Sequence, residues 1–284
     1  MFEKTLLQNK VVLITGGGTG LGRAMGERFL ELGARLAICG RREEVLEIAA
    51  AEMMAAKGSE VFTTQCDVRD ASQVDAMVDA VWAHYGGIDI LVNNAAGNFT
   101  APTEMLSHRA VDAVLSIVAH GTFYVTLAVG KKWIANKHRG RVLSIVATYT
   151  DSGSAFVVPS ATGKAAVLAM SRSLAVEWAR YGITMVCIAP GPFPTPGAWD
   201  RLMPDPSLHQ MAIGRIPLGR VGRHEELANL ASYLVSDQAE YINGECIRID
   251  GGEFIKGAGE FSWMEQLTAE QWAALSEKSK KAGK

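Results

Sequence analysis

Seven short apolar runs, each separated from the next by a longer segment of helical period, constrain this chain more than any other feature. They are VVLIT (Val11–Thr15), RLAICG (Arg35–Gly40), VFTTQCDV (Val61–Val68), IDILVNN (Ile88–Asn94), GRVLSIVA (Gly140–Ala147), ITMVCIAP (Ile183–Pro190) and CIRIDGG (Cys246–Gly252). Between them apolar residues return every three to four positions, as in the stretch ahead of Gly182. Strands that are apolar almost throughout have no water-facing side, so they predict a parallel sheet with helices packed on both faces. The expected architecture is α/β and doubly wound, with seven parallel strands.

At 284 residues, 48% hydrophobic and 20% charged, the chain can bury a large core. No Pro/Ser-rich linker divides it, so a single domain is expected over residues 1–284, with a helical extension from about 253 to the end. In that extension Thr268 and Gln271 stand at capping-box spacing, and the closing lysines suit a helix C-terminus. It reads as a surface helix, or as an element of subunit contact or site closure. A net charge of -2 supplies no basic field for nucleic acid or anionic lipid, so any phosphate must be met locally. Cys39, Cys66, Cys187 and Cys246 are isolated singles, which fits reduced, buried thiols rather than disulfides or zinc. The opening MFEKTLLQNK has no apolar signal core and no uninterrupted apolar run is long enough for a bilayer span, so a cytoplasmic protein without a membrane span is expected.

TGGGTGLG (Thr15–Gly22) follows the first strand and opens the first helix. Glycines there turn the chain tightly and let backbone N–H groups at a helix N-terminus approach a diphosphate, so Gly16, Gly20 and Gly22 are candidates for a Rossmann-type dinucleotide site. The second strand ends CGRREE: Gly40 leaves uncharged the corner where an acidic residue would bind the ribose hydroxyls of NAD, and Arg41 and Arg42 can neutralise a 2′-phosphate. NADPH is the cofactor expected, the alternative being two solvated arginines opening a helix. Asp67 either binds the adenine amino group or caps the helix that follows it.

TGGGTGLG, NNAAG (Asn93–Gly97), the helical Lys164 and PGPFPT (Pro190–Thr195) resemble the short-chain dehydrogenase/reductase superfamily over nearly the whole chain. NNAAGNF, YTDSGSAFVVPSATGKAAV, PGAWDRL, GRIPLGR, EELANLASYL, INGECIRIDGGE and the terminal GEF with LTAEQW are similar, more narrowly, to 2,4-dienoyl-CoA reductases of the mitochondrial, NADPH-dependent type. Most of the superfamily uses a Ser, a Tyr and a Lys, whereas here Ala147 stands near the serine position and Ser160, four residues before Lys164, stands at the tyrosine position. The resemblance implies an earlier tyrosine, and Tyr149, fifteen residues before Lys164, matches it at the end of the fifth strand. The chemistry explains the move. Hydride delivered to C5 of a 2,4-dienoyl thioester sends charge along the conjugated chain to the thioester oxygen, so the acid must stand away from the hydride acceptor. Tyr149 and Asn98 would then hold that oxygen, with Lys164 and Ser160 in support, unless Ser160 is a plain helix-start serine after Pro159.

The resemblance further implies cofactor contacts at Thr19, Leu21, Val68, Asn94, Lys164, Pro190, Gly191, Phe193 and Thr195, and acyl-CoA contacts at Arg69, Phe99, Ser107 and Arg201. It suggests a homotetramer. One departure from the superfamily is Val118, three before Gly121, where ketone reducers carry a proton-relaying asparagine. His120 either touches the site or packs, and no histidine sits in a metal-ligand pattern. The expected reaction is NADPH-dependent reduction of 2,4-dienoyl-CoA to trans-3-enoyl-CoA in β-oxidation of unsaturated fatty acids. Its rivals are trans-2-enoyl-CoA reduction, 3-ketoacyl or hydroxysteroid oxidoreduction, and a silent NADPH-binding scaffold.

Overall fold

In a computed structural model of the chain, which describes residues 2–195 and 205–282, all seven strands form one parallel sheet in the order β3-β2-β1-β4-β5-β6-β7. The strands are β1 (Val11–Thr15), β2 (Arg35–Gly40), β3 (Val61–Gln65), β4 (Ile90–Asn93), β5 (Gly140–Ile145), β6 (Ile183–Pro190) and β7 (Cys246–Ile249). The helices are α1 (Gly20–Glu31), α2 (Glu43–Lys57), α3 (Ala71–Tyr85), α4 (His108–Leu115), α5 (Thr122–Asn136), α6 (Tyr149–Ser152), α7 (Val158–Glu177), α8 (Pro206–Gly214), α9 (His224–Val235), α10 (Glu253–Ala258) and α11 (Ala269–Ala282).

Two apolar layers flank the sheet, as its doubly apolar strands require. One joins Met25 and Phe29 of α1, Leu46 and Met53 of α2 and Leu227 and Leu234 of α9 to Val12, Ile14, Leu36 and Ile38. The other joins Val74 and Val78 of α3, Val125, Val129 and Trp133 of α5 and Ala175 of α7 to Leu13, Ala37, Leu91 and Val142. Alternate residues of each strand therefore serve opposite layers.

The strands begin where the apolar runs begin, except that β4 starts at Ile90, but β3, β4, β5 and β7 stop short of the runs' ends. A parallel strand lasts only while its neighbour offers partners. β3 stops at Gln65 because its partner β2 stops at Gly40, and β7 stops at Ile249 opposite Pro190. The remaining apolar residues pass into loops at the carboxyl edge. Chain order reverses between β1 and β4, which puts a switch-point crevice at that edge.

α4, a π-helical turn (Ser116–Gly121) and α5 make one continuous helix from His108 to Asn136, long and apolar enough by length and composition to cross a membrane. This qualifies the expectation drawn from uninterrupted runs. Val118, Val125, Val129 and Trp133 spend its apolar face on the interior of the fold. The Thr268–Gln271 capping box forms as expected: Gln271 Oε1 accepts from the Thr268 N–H at 2.8 Å, and Thr268 Oγ1 from the Gln271 N–H at 3.3 Å. The α11 side chains described are exposed.

Candidate active site

The switch-point crevice is built from the turn after β1 and the segment after β4. Thr15, buried under the turn, accepts at its hydroxyl from the N–H groups of Asn94 and Ala95, both at 3.0 Å. Asn94 Nδ2 donates back to the carbonyls of Thr15 (3.0 Å) and Gly16 (3.1 Å). Its amide thus staples the glycine turn to β4, and its amino group has no donor left over for a ligand. A Cβ on Gly22 would lie 2.4 Å from the Gly16 carbonyl oxygen and 2.5 Å from Asn94 Nδ2, so only glycine lets α1 approach this closely. Gly16 itself turns at φ +66°. Thr19, at the N-cap of α1, makes no side-chain capping bond, and the first turn holds no acidic residue. The helix therefore presents open N–H groups and positive dipole to an anion, and the cradle fits a dinucleotide diphosphate. Thr195 leans on this end: a Cβ on Gly20 would meet its methyl at 3.0 Å.

Around the adenosine corner the side chains engage one another. Asp67 receives the Arg69 N–H at 3.1 Å and the Arg69 guanidinium, Nε at 2.9 Å among its contacts. That pairing, with burial opposing it and Arg41 adding to it, holds the Asp67 carboxyl below the usual carboxylate range. Arg69, expected at the acyl-CoA, is committed to Asp67. Of the two roles open to Asp67, capping the next helix falls to Asp70, which accepts from Ser72 and Gln73. Val68 is buried and presses on the π turn, 2.6 Å from where a Cβ on Gly121 would stand. Arg41 and Arg42 are exposed directly after Gly40, the last residue of β2, and ahead of Glu43 and Glu44 in the first turn of α2.

Tyr149 is not the last residue of a strand. The chain leaves β5 at Ile145, Val146 still pairs with the Ile188 carbonyl at 2.8 Å, and the Ala147 carbonyl then turns it by accepting from the Thr150 N–H (3.1 Å) and hydroxyl (3.0 Å). Tyr149 opens the one-turn helix α6 that results, and its hydroxyl lies 3.1 Å from Ser160 Oγ. Burial raises the phenol pKa and the Ser160 hydrogen bond partly offsets that. Ser160 is buried in the first turn of α7, and Lys164 follows one turn later on the same face. The Lys164 amine donates to the Ile145 carbonyl at 2.5 Å, and burial pulls its pKa down to about 8. That carbonyl is backbone, so no residue type announces it.

Asn98 turns its side-chain oxygen onto the Phe99 N–H at 2.9 Å, which fixes the rotamer and leaves the amide nitrogen without an acceptor among the described residues. Phe99 packs on an apolar cluster that includes Val118, Val146 and Cys187. The strap carrying both is tied to the loop after α6, where the Ala101 N–H donates to the Phe156 carbonyl at 2.9 Å. Ser107 caps α4 by accepting from the Ala110 N–H at 3.2 Å, a structural employment the sequence did not disclose. In the segment after β6, Gly191 donates to Ile249 at 3.0 Å and Phe193 fills the space where Gly222 lacks a side chain. Arg201 lies outside the described residues. Val118 is fully buried against Gly163 of α7, and His120 is exposed, its ring stacked on that of Tyr124.

Comparison with known proteins agrees with this geometry. The family described as Enoyl-(Acyl carrier protein) reductase matches residues 16–253. A probable 2,4-dienoyl-CoA reductase [(2E)-enoyl-CoA-producing] of Bacillus subtilis is 42% identical over 250 residues, 88% of this chain and 98% of that protein. A probable 2,4-dienoyl-CoA reductase 3 [(3E)-enoyl-CoA-producing] of Caenorhabditis elegans is 44% identical over 252 residues, 87% of this chain and 81% of that one. The crystal structure of a short chain dehydrogenase from Bacillus anthracis superposes with a TM-score of 0.77 at 44% identity, covering 86% of this chain and 96% of that one. With its switch-point glycine cradle and its seven parallel strands, this chain belongs to the short-chain dehydrogenase/reductase family, oxidoreductases that work with a nicotinamide cofactor.

Proposed function

We propose that this chain reduces 2,4-dienoyl-CoA with NADPH to trans-3-enoyl-CoA. The observation that carries the proposal is the Tyr149 hydroxyl 3.1 Å from Ser160 Oγ: the acid sits on α6, and a serine occupies the helix position from which ketone reducers present theirs. A bound dinucleotide supplies the hydride. What the protein supplies is a place for the charge that a C5-reduced dienoyl thioester carries on its thioester oxygen. A half-buried phenol donor, together with the amide donor of Asn98, suits that oxygen, because preorganised donors in a dry site stabilise developing charge without reorganising. Lys164, when protonated, adds positive charge from the next turn of α7. The balance is one hydride at C5 and one proton at C2, leaving the double bond between C3 and C4. Val118 offers no polar path to the interior, which supports protonation at carbon by solvent.

NADPH is preferred because Gly40 carries no acid and Arg41 and Arg42 are exposed beside it to meet a 2′-phosphate. A cytoplasmic homotetramer completes the proposal; Phe123 of α5 and Val176 of α7 are exposed apolar side chains that subunit contact would cover.

The test is NADPH consumption with 2,4-hexadienoyl-CoA beside crotonyl-CoA and acetoacetyl-CoA. Consumption mainly with the dienoyl thioester is expected, and consumption mainly with either control would overturn the substrate. The two relatives differ in the product their names state, so the reaction is also run in deuterium oxide and its product read by NMR. Deuterium at C2 of a 3-enoyl product is expected; deuterium at C4 of a 2-enoyl product would overturn the 3-enoyl product.

A further inference from the structure

The helix that presents Tyr149 is four residues long, too short to fix its own direction. Its backbone bonds are those of a single turn, with the Gly153 N–H on the Tyr149 carbonyl at 3.0 Å. Beyond it the chain runs through Gly153 at φ +70° to Phe156 at φ +65°, and residues 151–156 are exposed. Among the described residues one charged tether reaches this turn. Asp151, two residues after Tyr149, pairs its carboxylate with the guanidinium of Arg248.

Arg248 comes from β7, an edge strand, 97 residues further along the chain. Its guanidinium carbon lies 4.1 Å from the ring centroid of Phe254 in α10, within cation–π range. Phe254 is itself fixed, its N–H donating to Asp250 Oδ2 at 2.8 Å while Asp250 Oδ1 accepts from the Gly252 N–H at 2.9 Å. Arg248 is therefore held on one side by an aromatic ring and offers its fork to the acid-bearing helix on the other.

We propose that Arg248 is a positioning residue for the reduction: through Asp151 it sets the orientation of α6, and hence where the Tyr149 hydroxyl stands. The proposal rests on the reading of Tyr149 as the group that holds the thioester oxygen. The two side chains are 38% and 32% exposed, and pairs so placed contribute little to global stability. Placement is another matter, since shifting a reacting group by about 1 Å can cost about 10²-fold in rate.

The experiment compares the full-length parent, Arg248→Met, Arg248→Lys, Asp151→Asn, the charge swap Asp151→Arg with Arg248→Asp, and Tyr149→Phe. Each is assayed with 2,4-hexadienoyl-CoA and NADPH, and Tm and oligomeric mass are measured alongside. Arg248→Met and Asp151→Asn are expected to lower kcat about 10- to 100-fold while KM for NADPH, Tm and mass stay at parental values. Arg248→Lys keeps the charge but loses the planar fork, so it should fall between. The swap should regain about tenfold over the single changes. Parental kcat in Arg248→Met beside an inactive Tyr149→Phe would overturn the positioning role and leave the Tyr149 reading standing. A kcat loss matched by a lower Tm or altered mass, and not recovered by the swap, would overturn it as merely structural. Full turnover in Tyr149→Phe would overturn the reading of the acid, and the positioning role with it.

Discussion

Burial of the Lys164 amine makes this one residue a cost to the stability of the fold. Its amine is buried beside a strand carbonyl, and burial brings its pKa from 10.5 to about 8. The folded chain therefore binds fewer protons than the unfolded chain between pH 8 and 10.5, so the penalty is complete below about 8 and is relieved as pH rises through that window. Its size is about 3 kcal/mol from the displacement, and the hydrogen bond to Ile145 is worth about 1 kcal/mol against it. Lys164→Met is accordingly expected to raise Tm by several degrees at pH 7, at about 2–4 °C per kcal/mol, to abolish turnover, and to lose its stability advantage by pH 10. Differential scanning calorimetry of both proteins across that pH range checks it; a difference constant with pH would mean that Lys164 is not the titrating group. How much of the site could be read from sequence divides along the same lines. Tyr149, Ser160 and Lys164 are singled out through the family's motif that spans them, and the structure brings Tyr149 and Ser160 into contact. The Ile145 carbonyl was not legible, being backbone. Nor was the engagement of Arg69 with Asp67, since a side chain two residues away competes with any ligand and only rotamers decide the winner.

Among the elements, the helix that carries Val118 shows why periodicity reads topology better than detail. Apolar spacing announces a helix, but the π turn at Ser116–Gly121 accommodates its extra residue without breaking the apolar stripe, so it leaves no mark in the pattern. Strand ends fail for the converse reason: the runs continue past the last ladder bonds, which the Cys66 and Val146 N–H groups make, into the loops that carry Asp67, Val68 and Ala147. Val118 sits in the π turn, fully buried, its methyl 3.0 Å from the Cβ position of Gly163 on the lysine-bearing helix. Returning the superfamily's residue by Val118→Asn puts an amide into that contact with no partner among the apolar neighbours. A cost of about 1–3 kcal/mol is expected, lowering Tm by about 5 °C. No reduction of acetoacetyl-CoA should appear, because Ser160 still stands where the ketone acid would be. Acquired ketone reduction would show that the relay residue alone, and not the place of the tyrosine, selects the substrate.

At the scale of the molecule, the sheet order follows from the alternation of runs and helices, since right-handed crossovers on two faces leave few alternatives to a doubly wound sheet. What alternation does not specify is how the chain after β7 contributes, because nothing about its composition tells which part packs on the sheet edge and which merely follows. The structure divides it. Phe254 of α10 stacks on Arg248 and is fixed by Asp250, whereas the described α11 side chains are exposed and Trp272 alone among them lines a shallow apolar groove, with Pro217, Ile255, Phe261 and Met264. Two parts of one extension should therefore respond differently to removal. Ending the chain after Leu267 deletes α11 and its capping box but keeps every contact made by Phe254, so Tm within about 3 °C of the parent and undiminished kcat on 2,4-hexadienoyl-CoA are expected, the lost burial being part of one indole. Calorimetry, the same turnover assay and light scattering on the shortened chain decide it. A fall in kcat would make α11 an element of site closure, a fall in oligomeric mass would make it a subunit contact, and neither change would leave it a capped, solvated helix whose lysines serve only its own C-terminus.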